Sequence, residues 1–364
     1  MVLAQTPTQV LLIMIFGMLC WGLWAGFYKL AGKWRYELFY FDVAFGLTLA
    51  VVLYSMTLGS LGFDGFSFMD DVMHASKRQW LVAFGAGIIF NLGNMLMMGA
   101  AAIAGLSVAL TLGLGVSLMI GVEARLLLSN TTANPLLLFL GATCLLIAVV
   151  TIGVAYIFLI SARQDELVRQ GKVATTTGVA GHAKGLIVST NAPSATKGLL
   201  LAIISGALIW LMLPLIDTAR AGETGLGPYS TMAFFALGLL VSTIIFNNFF
   251  LNLPVQGEAI ELLDYFRGSL RAHLAGLAAG AVLCTGLLAL LVAHSGPPTT
   301  LLSPPTFYAL EQSAVLIGAV WGIFRWKDFR NAPPRVWAMV WTFILLFGMG
   351  LVSMALSAQF PRAA

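Results

Sequence analysis

The sequence predicts an all-α membrane protein of ten transmembrane helices arranged as two inverted five-helix repeats. Three observations carry that prediction. Ten long apolar stretches fall into two sets of five around one hydrophilic segment, and each has the roughly 20 residues a helix needs to cross a hydrocarbon core of about 30 Å. Of the 364 residues, 59% are hydrophobic and only 9% charged, against about 25% charged in a soluble domain. Five crossings is an odd number, so a second half built like the first must lie upside down in the bilayer.

Taken in order, the predicted spans of the first repeat are Gln9–Leu30, Leu38–Leu58, Trp80–Ala104, Ser107–Leu128 and Pro135–Ile160. Those of the second are Gly198–Asp217, Tyr229–Leu251, Ala272–His294, Thr306–Trp326 and Arg335–Leu356. Helices are required because an unpaired backbone in lipid is prohibitive, and the period-two alternation of a membrane barrel is absent from the sequence. Span 1 has no positive residue before it and no small-residue cleavage site, so it reads as a retained span rather than a secretory leader. The chain therefore divides into a repeat over 1–160, a flexible linker over 161–197, rich in Thr, Gly, Ala and Ser, and a repeat over 198–364. A second polar loop, Gly59 to Gln79, carries Asp64, Asp70, Asp71 and His74. Pro214 in span 6 reads as a kink.

Basic residues set the orientation. Fourteen of the nineteen Lys and Arg fall after spans 1, 7 and 9 or between spans 5 and 6; only Lys77, Arg78, Arg125, Arg220 and Arg362 lie on the other side. The cationic side is expected in the cytoplasm, with both termini outside a cell (inner) membrane. The repeat also leaves a trace in short matches: Gly17-Met-Leu-Cys-Trp21 with Gly206-Ala-Leu-Ile-Trp210, and Leu118-Met-Ile-Gly121 with Val315-Leu-Ile-Gly318. Basic residues follow span 1 and precede span 6, the reversal an inverted half requires. Gly276 and Gly280 have the small-xxx-small spacing of a close helix crossing, read as packing inside the bundle rather than dimerisation.

Composition excludes several functions. A net charge of +4 without a basic, aromatic-interleaved run gives no nucleic-acid surface. Cys20, Cys144 and Cys284 stand alone in apolar spans, so neither a disulfide framework nor a metal site is expected. His74, His182, His273 and His294 are scattered, and no nucleophile–base or HExxH pattern occurs, which argues against a membrane-embedded enzyme.

Polar residues at membrane depth are expensive, and each is a candidate. Asn91 and Asn94 lie three apart on one face of span 3 and offer both donors and acceptors; their alternative role is interhelical glue. Trp21, Trp24 and Tyr28 form a stripe in span 1, with an echo at Trp210; Trp21 and Trp24 are cavity candidates and Tyr28 belongs to the interfacial aromatic belt. Glu311 and Gln312 sit one to two turns into span 9. Asp42 lies a turn into span 2, where the alternative to proton coupling is a salt bridge with Lys29 or Arg35. Glu123 and Arg125 form an outer rim of span 4. The candidate substrate contacts are thus Trp21, Trp24, Asn91, Asn94, Trp210, Glu311 and Gln312, and the candidate proton-coupling groups Glu311 and Asp42.

Several stretches resemble the glucose/ribose porter and ureide permease branch of the drug/metabolite transporter superfamily: Cys20-Trp-Gly-Leu-Trp-Ala-Gly through Asp42, Asn91-Leu-Gly-Asn94 with Ala104-Gly-Leu-Ser-Val-Ala-Leu110, Gly257-Glu258 through Gly268, and Ala309-Leu-Glu-Gln312 leading to Val320-Trp-Gly-Ile-Phe-Arg-Trp-Lys-Asp-Phe329. The resemblance implies ten spans and a carrier of sugars, ureides or nucleobases. Two positions depart from it. Plant ureide permeases are expected to carry a phosphate-loop-like motif centrally, but Gly178-Val-Ala-Gly-His-Ala-Lys-Gly185 lacks the Gly before and the Ser/Thr after the lysine, so ATP binding is not expected. Glu311 also stands where a small residue is expected.

The reading is a secondary active transporter of a small polar metabolite, bound near the midplane and exposed alternately to each side, with a proton or other ion as coupling partner, membrane lipid as solvent, and no cofactor. An exporter of drugs, amino acids or other metabolites on the same fold is the alternative.

Overall fold

In the computed structural model, residues 1–128, 133–170 and 195–360 are described. Among them the chain is helical and contains no strand. In order, α1 (Pro7–Leu23) tightens into a 3-10 segment (Trp24–Ala31) and is followed by α2 (Tyr36–Met56), the short α3 (Leu58–Leu61) and α4 (Phe68–His74), α5 (Lys77–Ala104), α6 (Leu106–Leu128) and α7 (Pro135–Arg169). The second half holds α8 (Ala195–Arg220), α9 (Pro228–Asn252), a 3-10 turn (Leu262–Arg267), α10 (Leu270–Ala293), α11 (Pro304–Val320) ending in a π turn (Trp321–Arg325), and α12 (Pro334–Ser357).

Among the described residues, nine helices have the length and apolarity to cross a bilayer; α6, in the place of predicted span 4, is apolar over a shorter stretch, Leu106–Gly121. Each predicted span lies on one of these helices. Local chemistry sets their starts. Proline occupies the first turn of α1, α9, α11 and α12, where its missing N–H costs nothing and its fixed φ is already helical. The side chains of Thr6, Ser67, Ser76 and Ser269 cap α1, α4, α5 and α10, each accepting from an otherwise orphaned amide. Pro214 leaves α8 unbroken, and the carbonyl of Pro214 is taken up by the Thr218 hydroxyl at 2.7 Å. The helix α7 runs nine residues beyond the predicted end of span 5, so part of the expected linker is helical; the Gly178–Gly185 stretch lies outside the described residues, as do the side chains of Glu123 and Arg125.

The packing has an internal regularity. The helix α5 lies on α8 as α1 lies on α10; α2 meets α10 as α9 meets α5; α6 meets α8 as α11 meets α1; and α7–α12, α2–α9 and α6–α11 pair with one another. Exchanging the first five long helices (α1, α2, α5, α6, α7) with the last five (α8 to α12) leaves these pairings unchanged. Glycines mark the two equivalent crossings. At the α2–α10 crossing, a methyl at Gly46 would lie 2.1 Å from the Leu277 carbonyl and one at Gly280 2.1 Å from that of Val43. At the α9–α5 crossing, Gly238 is 2.0 Å from the Phe84 carbonyl by the same measure and Gly87 2.0 Å from that of Phe235. Only residues without a side chain permit such close backbone approach. Gly17 and Gly206, paired by the short sequence match, face different neighbours: Ala289 on α10 and Gly113 on α6.

Candidate functional site

A cavity of about 480 Å³ enters the bundle at the end where residue 1 lies, a volume within the roughly 300–1,000 Å³ of small-molecule sites. Its walls come from α8 (Met212, Ile216, Asp217, Arg220), α9 (Met232, Phe235), α10 (Leu287, Leu291), His294 just beyond it and Glu311 of α11, with Asp71 at the rim. Lining atoms are therefore largely apolar, and the polar groups are few and separable. Arg220, at the last turn of α8, donates one guanidinium nitrogen to the Ser295 hydroxyl, and its Nε is buried without a partner among the described residues. His294, just past α10, lies against Phe307 with ring centroids 3.7 Å apart and bonds the Leu290 carbonyl. Asp71 accepts the Gly227 amide at 2.8 Å, capping the start of α9. Glu311, only 4% exposed, sits two turns into α11. A donor fork and an acceptor carboxylate thus share one apolar cleft.

The opposite end of the bundle is closed by charged groups. Asp328, just after the π turn of α11, accepts the Ser107 amide (2.9 Å) and hydroxyl (3.0 Å) at the start of α6 and pairs with Lys29 at 3.7 Å. Arg163 of α7 donates to the carbonyls of Asp328 and Arg330. Arg35 grips the fully buried Glu37 with two nitrogens and reaches the Glu258 carbonyl. Asp42 accepts from the Tyr265 hydroxyl at 2.6 Å and contacts His273 Nδ1 at 2.9 Å, with Trp34 edge-on to His273 and stacked on Tyr265. Burial, then the hydrogen bond to Asp42 and its charge, raise the Tyr265 hydroxyl's pKa and keep it a donor.

Of the residues proposed from sequence, Glu311 lines the cavity. Its neighbour Gln312 is fully buried, and neither of its amide atoms has a hydrogen-bond partner among the described residues. Asn91 donates to Ser242 (2.7 Å) and accepts from Thr243 (3.2 Å), joining α5 to α9. Asn94 donates to Tyr40 on α2 at 3.0 Å. Trp21 is buried against Gly286 of α10, Trp24 is buried with its indole N–H unpartnered among the described residues, and Trp210 packs beside Gly121 of α6. Asp42 lies in the closed end, and both salt-bridge partners weighed for it are engaged elsewhere: Lys29 with Asp328 and Arg35 with Glu37. Sequence reasoning missed Arg220, Asp217 and His294. The signal available was the charge pair Asp217 and Arg220, spaced three residues apart at the end of an apolar run.

The profile of the family described as Ureide permease matches residues 39–185. Over most of its length the chain is similar to Ureide permease 1 of Arabidopsis thaliana, 22% identical over 347 residues that cover 85% of this chain and 86% of that protein. Ureide permease 4 of the same organism is 22% identical over 381 aligned residues, covering 92% and 93% respectively. These relatives are transporters rather than enzymes, and together with the apolar helices they support a multi-pass membrane protein of a transporter family.

Proposed function

We propose that this chain is a secondary carrier that takes up a ureide, or a small polar solute like one, by alternating access coupled to protons. The cavity carries the reading. It is open towards one end and closed by ion pairs at the other, as expected of one state of a rocking carrier. A urea-type group presents carbonyl acceptors and N–H donors, complementary to the Arg220 guanidinium and the Glu311 carboxylate; nucleobases share that chemistry, and sugars share part of it. The exchangeable helix pairings support ten spans in two inverted repeats of the drug/metabolite transporter type. Placing the fourteen basic residues in the cytoplasm makes the closed end internal, the cavity external and the termini outside.

In this reading Glu311 binds solute and proton, and Asp42 with His273 answers the proton at the inner end. Gln312 supports motion, because an unpaired buried carboxamide costs about 1–3 kcal/mol that another state or a bound solute offsets. Trp21, Trp24, Asn91, Asn94 and Trp210 are proposed as contacts of the state in which the inner end opens. The test is uptake by proteoliposomes given an inward proton gradient. Accumulation of a ureide or nucleobase is expected, with Glu311→Gln retaining solute exchange but losing gradient-driven accumulation. Failure to move any ureide, nucleobase or sugar overturns the proposal, and net flux only outwards favours an exporter.

A further inference from the structure

We infer that Trp24, Tyr40, Val43, Asn94, Met97 and Met98 form a second solute pocket in the closed half of the bundle, shut in this structure and made for an uncharged, planar ring. The inference rests on the carrier reading, because it takes the two halves to be inverted copies that open in turn. Correspondence between the halves is set by close backbone approaches. A methyl at Gly280 would lie 2.1 Å from the Val43 carbonyl and 2.6 Å from the Leu47 amide; one at Gly87 would lie 2.0 Å from the Phe235 carbonyl and 3.0 Å from the Leu239 amide. Val43 and Leu47 of α2 thus match Phe235 and Leu239 of α9, 192 positions on, and Gly87 of α5 matches Gly280 of α10, 193 positions on. A further crossing relates α1 to α8. By the same measure Gly286 is 3.0 Å from the Gly17 carbonyl and 2.9 Å from the Trp21 amide, while Gly93, its match on α5, is 3.1 Å from the Ser205 carbonyl and 3.0 Å from the Ile209 side chain. Gly17 and Trp21 therefore match Ser205 and Ile209, 188 positions on.

Carried across, the cavity lining lands on one buried cluster. Met212 of α8 falls on Trp24, Met232 and Phe235 of α9 on Tyr40 and Val43, and Leu287, Leu290 and Leu291 of α10 on Asn94, Met97 and Met98. All six counterparts are at most 1% exposed. Asn94 donates to the Tyr40 hydroxyl at 3.0 Å, so α2 and α5 touch at the matched positions. Asn94, Met97 and Met98 share a face of α5 by their spacing. Two features point to a ligand. The Trp24 indole N–H is buried with no partner among the described residues. Tyr40 and Asn94 also stand where the outer lining has Met232 and Leu287, although an interior that only had to pack could be as apolar as those. None of the six is charged, so an ionic solute would lie unpaired among them. A carboxamide meets the N–H and C=O of a ring amide or urea, an indole N–H meets a carbonyl, and the two aromatic rings offer faces for stacking. The correspondence also narrows the inner contacts: Trp21 and Asn91 fall on Ile209 and Cys284, which do not line the cavity.

Met95 and Met98 provide a matched pair for the test. Both are fully buried methionines of α5, but Met98 matches Leu291 of the cavity, whereas Met95 matches Leu288, which lines a separate groove on the other side of α10. The full chain, with Cys20, Cys144 and Cys284 replaced by alanine, carries Met95→Cys or Met98→Cys in proteoliposomes. A small water-soluble methanethiosulfonate is present on both faces. Met98→Cys should react roughly tenfold faster or more, because a minor state populated at roughly 0.1–10% already admits the reagent. Hydantoin and uracil, two uncharged ring ureas, should slow that reaction. Adding Asn94→Ala should raise the protecting concentration by roughly five- to tenfold, whereas Tyr40→Phe, which breaks the same hydrogen bond but keeps the carboxamide and the ring, should shift it by less than about threefold. Equal reaction at the two cysteines, protection by neither compound, or equal shifts for Asn94→Ala and Tyr40→Phe would overturn the pocket even in vesicles that take up solute. Absence of uptake for every ureide, nucleobase and sugar overturns the carrier reading itself, so the two failures are told apart.

Discussion

Gly87→Ala and Gly85→Ala, two residues apart on α5, separate packing from helix propensity. At Gly87 the added methyl would lie 2.0 Å from the Phe235 carbonyl oxygen and 3.0 Å from the Leu239 amide of α9, both backbone atoms that no rotamer change can move. At Gly85 no atom lies within 4 Å of the added methyl. Both changes gain the same intrinsic preference, up to about 1 kcal/mol of helix stabilisation. Only Gly87→Ala must push two helices apart, by about 1 Å or more. A gap of that size forfeits a quarter to a half of each dispersion contact along the crossing, and overpacking of this kind costs typically 1–3 kcal/mol. The difference between the variants is therefore expected at about 1–3 kcal/mol, roughly a 5- to 150-fold change in the folded-to-unfolded ratio. Equilibrium unfolding by dodecyl sulfate in mixed micelles measures it. Gly280→Ala, whose methyl would lie 2.1 Å from the Val43 carbonyl, should lose a similar amount because it occupies the equivalent crossing. A Gly87→Ala protein as stable as Gly85→Ala would refute the packing argument; a large loss at Gly87 with none at Gly280 would refute the equivalence of the two halves.

Asn91→Ala removes two hydrogen bonds between α5 and α9, and at about 0.6 kcal/mol per interhelical bond it should cost about 1–2 kcal/mol in the same unfolding assay, with solute KM unchanged if the residue only holds helices together. Asp328→Asn leaves Lys29 without its carboxylate and weakens the cap on α6; a cysteine placed at Ser107 in that background should be labelled by a water-soluble maleimide faster than in the wild-type background, and equal rates would remove Asp328 from the closure. Arg220→Gln should raise the KM for solute about tenfold or more, as for loss of a charge-assisted hydrogen bond, while Arg220→Lys recovers only part of it because the fork geometry is lost; an unchanged KM in radiolabelled uptake would remove Arg220 from the site.

The spans were legible because the bilayer imposes one length and one composition on every crossing helix. Apolarity, however, reports where lipid is and not where a helix ends. The helix α7 continues through Ser161-Ala-Arg-Gln-Asp-Glu-Leu-Val-Arg169, where intrahelical bonds need no lipid. The aromatic residues of span 1 do not share one face, for a geometric reason. Trp21, Trp24 and Tyr28 share a face only at 3.6 residues per turn, and the chain tightens to a 3-10 helix from Trp24 onwards, which rotates Tyr28 towards Phe39, 5.4 Å away between ring centroids.

The site was less legible because most of these helices are apolar on every side, so periodicity does not say which face is inside. That choice is made by partners far along the chain: Asn91 turns towards Ser242, 151 residues away, and Asp42 towards His273, 231 residues away. Glu311 and Gln312 are adjacent and point about 100° apart on the helix, so a cavity that takes one leaves the other in the packed interior. The regularity of the helix pairings was readable, but at another set of residues. Gly46 with Gly238, and Gly87 with Gly280, stand 192 and 193 positions apart and occupy corresponding crossings, whereas Gly17 and Gly206 match in sequence and face different helices. In an apolar chain, letter similarity is cheap and arises by composition. A glycine whose replacement would drive a methyl into a neighbouring backbone is constrained by geometry, and so constrained positions, rather than similar strings, mark the corresponding crossings.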